Sequence, residues 1–204
     1  MFMKKITGLL ILLAFLSLKA GAETLTLNQG DHVCLIGNAL ADRMQHHGWL
    51  EALIMARFPK HDLVFRNLAV SGDEVAFRHR SENFGSPDDW LTKTKADVIL
   101  AFFGFNESFK GPGGIDKFKK DLDKFLKDAA AKNYSGKGAP RLVLFSPIAN
   151  ETLADPNLPA PDANNANLRI YAAAMVEVAQ ANSVPFVDLF MMSQPLYAQA
   201  ARQG

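Results

Sequence analysis

The sequence has too few cysteines for a disulfide framework. Cys34 is the only one among 204 residues, so no internal disulfide can form, and no CxxC or CxxCH pattern is present for zinc or c-type haem. Cys34 stands between Val33 and Leu35 in an apolar run. This setting predicts a small buried side chain and no redox centre.

An excess of charge of one sign is also missing. Lys and Arg number 22 and Asp and Glu number 21, for a net charge of +1. Nucleic-acid binding depends on clustered cations, so no nucleic-acid partner is predicted. His46 and His47 are adjacent on a predicted helix and point to different sides, which argues against a metal site. No cofactor is predicted.

Long apolar runs are limited to one, Ile6–Leu18, near the N-terminus. Its 13 residues are fewer than the roughly 20 that a membrane span needs. Lys4 and Lys5 precede it and Ala20–Ala22 follows, a pattern typical of a signal peptide over residues 1–22. We therefore expect a secreted or periplasmic protein without a membrane anchor after cleavage; an uncleaved anchor is the alternative. Residues 23–204 are enough for one domain.

Short apolar runs and helical periodicity alternate along the rest of the chain. The run at 97–103 does not alternate with polar residues, which is typical of a parallel sheet covered on both faces. The pattern predicts a three-layer α/β/α, flavodoxin-like sandwich around a five-stranded parallel sheet. The predicted strands are Asp31–Ile36, Asp62–Asn67, Asp97–Phe103, Arg141–Phe145 and Pro185–Leu189. Helices are predicted around 40–54, 115–129, 168–178 and 196–200, and a further helix start is predicted at 86–89.

Three loops at the predicted carboxyl ends of strands carry chemistry-bearing residues. They read Gly37-Asn38-Ala39, Asn67-Leu68-Ala69-Val70-Ser71-Gly72-Asp73 and Gly104-Phe105-Asn106-Glu107. Over about residues 28–192 this order resembles the first blocks of the SGNH (GDSL-like) hydrolase superfamily, which read Gly-Asp-Ser, Asn-x-x-x-x-Gly and Gly-x-Asn. The segments 37–45, 103–108 and 145–149 resemble a secreted planctomycete-type subgroup, in which this module precedes larger, often haem-binding regions with CxxCH.

The resemblance implies that the Gly72 backbone amide and the Asn106 side-chain amide donate to a developing oxyanion. Donors of this kind are worth about 3 kcal/mol each. The alternative for Asn106 is a turn residue bonded to its own backbone, and for Gly72 a turn that needs a positive φ. Two positions depart from the family, because Asn38 replaces its aspartate and Ala39 its serine nucleophile. Gly30-Asp31-His32 precedes the first strand and is rejected as the nucleophile loop.

The general base of the family is also missing from these residues. The Asp-x-x-His block should follow the fifth strand, yet no histidine occurs after Leu189. We therefore expect the chain to be truncated before that block and to continue into further domains. The function expected from the resemblance is hydrolysis of ester or acetyl groups on small molecules or carbohydrate, in a domain that is inactive as it stands. The alternatives are a non-catalytic ligand-binding module and a structural N-terminal module.

Other polar residues near the predicted strand ends are candidates for substrate contact. Arg43 follows the first block by one helical turn, Glu107 and Ser108 follow the third, and Glu151 opens a long predicted loop. The cluster Arg78-His79-Arg80 follows the second block. It is interpreted either as a solvated loop or as a contact for an anion or a sugar carboxylate near the cleft.

Overall fold

A computed structural model describes residues 24–203 except 81, 154, 156 and 159. The predicted signal peptide, 1–22, lies outside the described residues. The strands are β1 (His32–Gly37), β2 (Val64–Asn67), β3 (Val98–Phe102), β4 (Arg141–Phe145) and β5 (Phe186–Val187). The helices are α1 (Ala39–Met44), α2 (Trp49–Arg57), α3 (Pro87–Lys93), α4 (Phe105–Ser108), α5 (Ile115–Ala130), α6 (Asp162–Ala181) and α7 (Leu189–Gln203), with a 3-10 turn at Pro112–Gly114.

The five strands form one parallel sheet in the order β2-β1-β3-β4-β5. The predicted α/β fold with a five-stranded parallel sheet is therefore confirmed. Strand order reverses between β1 and β3, and open parallel sheets bind ligands in the crevice beyond the carboxyl ends at such a point. The loops after β1, β2 and β3 meet at this crevice.

Each face of the sheet is covered by its own apolar cluster. Side chains of α3, α5 and α6 pack on one face, against Cys34, Ile99 and Phe103 among others. The opposite face packs Val33, Leu35 and Leu100 against α1 and the start of α2. The burial of β3 on both faces explains why its sequence, Val-Ile-Leu-Ala-Phe, has no polar alternation.

Two predicted elements differ from the structure and one helix start is confirmed. The helix predicted as continuous over 40–54 is wrong: it is broken into α1 and α2 at Gly48, which adopts φ 61°, a conformation that glycine allows without steric cost. The fifth strand is also shorter than predicted. The start of α3 is confirmed, because Ser86 and Asp89 form a capping box. None of the described helices combines the length and apolarity that crossing a membrane requires.

Candidate active site

The first loop begins where β1 comes very close to β3. Gly37 has φ +127°, and a Cβ atom there would lie 2.0 Å from the carbonyl oxygen of Phe102, so only glycine fits. The next amide, Asn38 N, donates to the same carbonyl at 3.0 Å. The Asn38 side chain is buried, and its Nδ2 has no partner within the described part of the chain. Ala39 then opens α1, and its identity as the nucleophile position stays a prediction.

The second loop is bonded directly to the first. Asn67 Nδ2 donates to the Ala41 carbonyl at 2.6 Å, and Asn67 Oδ1 accepts from Ala69 N at 3.0 Å. Val70 N donates to the Gly37 carbonyl at 3.0 Å. One asparagine side chain and one backbone bond therefore fix the second loop against the start of α1.

Gly72 lies at the exposed tip of the second loop. The turn closes with Asp73 N donating to the Val70 carbonyl at 3.1 Å, and Gly72 adopts φ +94°. Among the described residues, no acceptor is bonded to Gly72 N. The turn is braced from behind, because the buried Asp73 carboxylate forms a two-pronged ion pair with Arg80 at 2.7 and 2.8 Å.

Asn106 joins the third loop to the second. Its Nδ2 donates to the backbone carbonyl of Asp73 at 3.0 Å. The side-chain amide of Asn106 therefore lies within hydrogen-bond distance of the residue that follows Gly72. A side-chain amide carries two hydrogens, so one N–H of Asn106 is left for a ligand. The oxyanion role of both residues stays a prediction.

Glu107 lies buried beneath the second and third loops. Its Oε1 accepts from Val75 N at 2.8 Å and its Oε2 accepts from Gly104 N at 2.9 Å. Burial raises the pKa of Glu107, although the backbone hydrogen bonds act in the opposite direction. Ser108 is also buried, and its hydroxyl donates to the Phe105 carbonyl at 2.6 Å. Both side chains are bonded to the protein itself, and a role in substrate binding stays a prediction.

The other two candidate substrate-binding residues lie on the surface. Arg43 in α1 and Glu151 after β4 are exposed, and the structure does not bring them together with the three loops by any hydrogen bond among described residues. The neighbour of Arg43 does make such a contact, because the Asp42 carboxylate accepts from the backbone amide and the hydroxyl of Ser71. The Ser71 hydroxyl chiefly accounts for the lowered pKa of Asp42.

Sequence reasoning missed the residues that hold the loops in place. Asn67 was identified as a family position, but its bond to Ala41 joins residues 26 positions apart and has no local signal. Its other bond, to Ala69 N, is an Asx turn that the Asn-x-Ala spacing could have indicated. Asp73 and Arg80, which form the bracing ion pair, are seven positions apart in an irregular loop. No periodicity predicts a contact there.

Among the described residues, no histidine side chain is hydrogen-bonded to the three loops. His32 is at the amino end of β1, at the opposite edge of the sheet, with its ring bonded to the Thr94 carbonyl. His46 and His47 are exposed just after α1. In the described ranges, no group of three or more His, Cys, Asp or Glu side chains is placed to hold a metal ion.

Comparison with known proteins places this geometry in a family. Residues 35–203 match the model of the GDSL-like Lipase/Acylhydrolase family. No curated protein matches the chain. Among solved structures, the chain is similar to BT4096, described as a gut microbial diltiazem-metabolizing enzyme, with 19% identity and a TM-score of 0.65 over 90% of this chain and 42% of that one. It thus spans less than half of that protein.

Two further structures match over most of both chains. The acetyl xylan esterase AlAXEase is 15% identical with a TM-score of 0.62, covering 84% of each chain. Est24, a carbohydrate acetylesterase from Sinorhizobium meliloti, is 9% identical with a TM-score of 0.53, covering 85% of this chain and all of the other. At such identities the structures establish a shared fold. Together with the match over residues 35–203, they confirm the resemblance inferred from the three loops: the chain belongs to the GDSL-like lipase/acylhydrolase family, within the SGNH hydrolases.

Proposed function

We propose that this domain binds an ester or acetyl group at the three loops, with the carbonyl oxygen facing Gly72 N and Asn106 Nδ2. The proposal rests on the hydrogen bond from Asn106 Nδ2 to the Asp73 carbonyl, because this bond fixes the side-chain amide beside the turn at Gly72. Gly72 N itself has no acceptor among the described residues. Donors held in place before the ligand arrives stabilise negative charge on oxygen at little reorganisation cost. The names of two structural neighbours, an acetyl xylan esterase and a carbohydrate acetylesterase, support acetylated carbohydrate as the ligand class.

The residue at the nucleophile position favours a second candidate, a non-catalytic ligand-binding module. The side chain of Ala39 has no oxygen or sulfur atom, so no covalent acyl intermediate can form on it. We propose that the 204-residue chain hydrolyses esters negligibly. Hydrolysis of p-nitrophenyl acetate well above a heat-denatured control, and abolished by Asn106→Ala, would contradict this. A structural N-terminal module of a larger secreted protein is the third candidate, and it predicts no binding of acetylated ligands.

A cysteine placed at the nucleophile position tests the ester site directly. A thiol is intrinsically more nucleophilic than a serine hydroxyl and depends less on a neighbouring base. The Ala39→Cys chain should therefore take up one acetyl group from p-nitrophenyl acetate, seen by intact mass and by release of p-nitrophenolate. Adding Asn106→Ala should slow this acetylation by about 100-fold or more, the usual effect of losing one oxyanion donor.

Two controls separate site chemistry from ordinary thiol reactivity. Ala52→Cys places a thiol on the exposed part of α2, and the unmodified chain carries only the buried Cys34. Acetylation of Ala39→Cys no faster than that of Ala52→Cys would overturn the ester site. Rapid acetylation that Asn106→Ala leaves unchanged would instead overturn the assignment of the donors.

The export of the protein is part of the proposal and is tested separately. We propose a periplasmic or secreted location because of the signal-peptide pattern over 1–22, and kinship with the secreted planctomycete-type subgroup because segments 37–45, 103–108 and 145–149 resemble it. The expected result is a mature chain recovered outside the cytoplasm with Glu23 as its first residue, measured by N-terminal sequencing. A cytoplasmic chain that retains residues 1–22 would contradict it.

A further inference from the structure

A cavity borders the loop that carries Gly72. It has a volume of about 260 Å³ and lies between the second loop and α3. Asn67 and Asp73 contribute to one wall, and Arg78, Arg80, Phe84 and Trp90 contribute to the others. The basic cluster that follows the second block is therefore not simply a solvated loop, because two of its three residues line a cavity next to the candidate active site.

Arg78 lines this cavity and has no ion-pair partner among the described residues. Its guanidinium carbon lies 5.0 Å from the ring centre of Phe103 and 5.3 Å from that of Phe125. Its Nε is buried and has no hydrogen-bond partner among the described residues, and none of their carboxylates lies within ion-pair distance of it. Burial lowers the pKa of Arg78. A partly buried charge without a partner is costly, and an anionic ligand would supply the missing partner.

Asp73 and Asp88 both attract the charge of Arg78, but neither forms an ion pair with it in the described structure. Asp73 and Arg80 neutralise each other through their two-pronged ion pair. Arg78 also lines a separate cavity, together with Asp88, Asp121, Asp128 and Lys124. None of these three carboxylates forms an ion pair with Arg78 in the described structure. The charged residues that line the cavity beside the second loop are Asp73, Arg78 and Arg80, so its lining carries one more positive charge than negative.

An aromatic wall completes the cavity. The rings of Phe84 and Trp90 lie 5.1 Å apart at 33°, and Trp90 Nε1 donates to the Phe84 carbonyl at 2.9 Å, which fixes the indole. Phe84 remains 43% exposed at the rim. Fixed aromatic faces favour a ligand with a flat or ring-shaped apolar surface.

We propose that this cavity binds a carboxylate attached to a small ring, of which a hexuronate sugar is the representative. The carboxylate pairs with Arg78, and the ring packs on Phe84 and Trp90. The volume is slightly below the range of drug-sized ligand pockets and suits one sugar residue. The assignment of the cavity as a subsite for an acidic sugar within an esterified ligand rests on the proposed function, whereas binding of the free carboxylate does not.

Trp90 provides the binding signal. The chain contains two tryptophans, and Trp49 is 74% exposed on α2, so Trp49→Phe leaves Trp90 as the only indole. In this background, titration with glucuronate should change the emission saturably. Glucose, the same ring without the carboxylate, should bind at least tenfold more weakly, because it lacks the charge-assisted hydrogen bonds to Arg78.

Variants at Arg78 assign the effect to its charge. Arg78→Met keeps an apolar stem between Phe103 and Phe125 and should weaken glucuronate binding about 10- to 100-fold, whereas Arg78→Lys should restore part of the affinity. Arg57→Met, at the exposed end of α2, is the matched control and should change nothing. If the Arg78 variants unfold, Phe84→Ala at the rim is the substitute test. This change alters no charge and should weaken the binding of glucuronate and of glucose alike.

Glucuronate binding and acetylation of the Ala39→Cys chain test the cavity and the ester site separately. Glucuronate affinity that is the same after Arg78→Met, equal affinity for glucose and glucuronate, or no glucuronate binding at all would each overturn the proposal. Arg57→Met, which lies outside both proposed sites, should leave acetylation of the Ala39→Cys chain by p-nitrophenyl acetate unchanged. Failure of acetylation with glucuronate binding intact would overturn the ester site and leave the cavity as a carboxylate site.

Discussion

Glu107→Gln should weaken the link between the second and third loops. The wild-type carboxylate accepts one hydrogen bond from Val75 N and one from Gly104 N. Glutamine keeps one oxygen and presents an NH2 group where the second oxygen was, so one buried backbone N–H faces another donor. An unsatisfied buried polar group costs about 1–3 kcal/mol. Two donors in opposition are therefore expected to lower the free energy of unfolding by about 2–4 kcal/mol.

Thermal and urea unfolding, followed by circular dichroism, measure this loss. A domain of this length shifts its Tm by roughly 2–4 °C per kcal/mol, so the expected decrease is roughly 5–15 °C. Glu177→Gln is the matched control, because Glu177 is an exposed partner of Lys119 and such surface pairs contribute about 0–1 kcal/mol. A loss below 1 kcal/mol for Glu107→Gln, or one no larger than for the control, would refute the reasoning.

The pH dependence of this loss has a definite sign. Burial raises the pKa of Glu107 in the folded state, so folding favours the protonated form. The stabilisation that protonated Glu107 contributes to the fold is fully present below the unfolded-state pKa of about 4.3. It is lost as the pH rises through the folded-state pKa. Because glutamine does not titrate, the penalty of Glu107→Gln should be larger near pH 4 than at neutral pH. A penalty that grows with pH would contradict the assigned direction.

Three further substitutions and one chemical labelling test other contacts. Gly72→Ala should lower the free energy of unfolding by about 1–2 kcal/mol through backbone strain alone, since no atom lies within 4 Å of its Cβ position. Gly37→Ala should lower it by more than about 4 kcal/mol, because its Cβ would lie 2.0 Å from a β3 carbonyl oxygen. Equal losses for the two variants in urea unfolding would contradict this. Ser71→Ala should raise the pKa of Asp42, measured by NMR titration, and no change would show that the hydroxyl is not its main partner. Cys34 is buried and its pKa is raised by burial, so Ellman's reagent should label it only in denaturant; rapid labelling of the folded chain would be inconsistent with its place in the core.

The fold could be predicted from the sequence because its signals are local. The unbroken apolar run of β3, the Ser86-Pro87 helix start and the period of α5 each report their own burial or capping. The break between α1 and α2 escaped prediction because apolar residues continue at helical spacing through it. The single glycine at the break, Gly48, takes a left-handed conformation that composition alone does not reveal.

The candidate site was predictable only in its residue types. Gly37, Gly72 and Asn106 stand at strand ends in a recognisable order, and topology requires those ends to meet. Which atoms are bonded depends on side-chain direction in irregular loops. The same uncertainty applies to Glu107, which sequence reasoning assigned to the surface of the cleft and which lies beneath it, 4% exposed.

The bonds that join the three loops have a consequence for how this site can change over time. They run through the side chains of Asn67, Asn106 and Glu107 and through backbone groups, and none passes through the side chain of Ala39. Alanine, serine or cysteine at that position would leave the same scaffold standing. Under the proposed function, a change at this single codon would remove or restore the reactive atom without rebuilding the cleft.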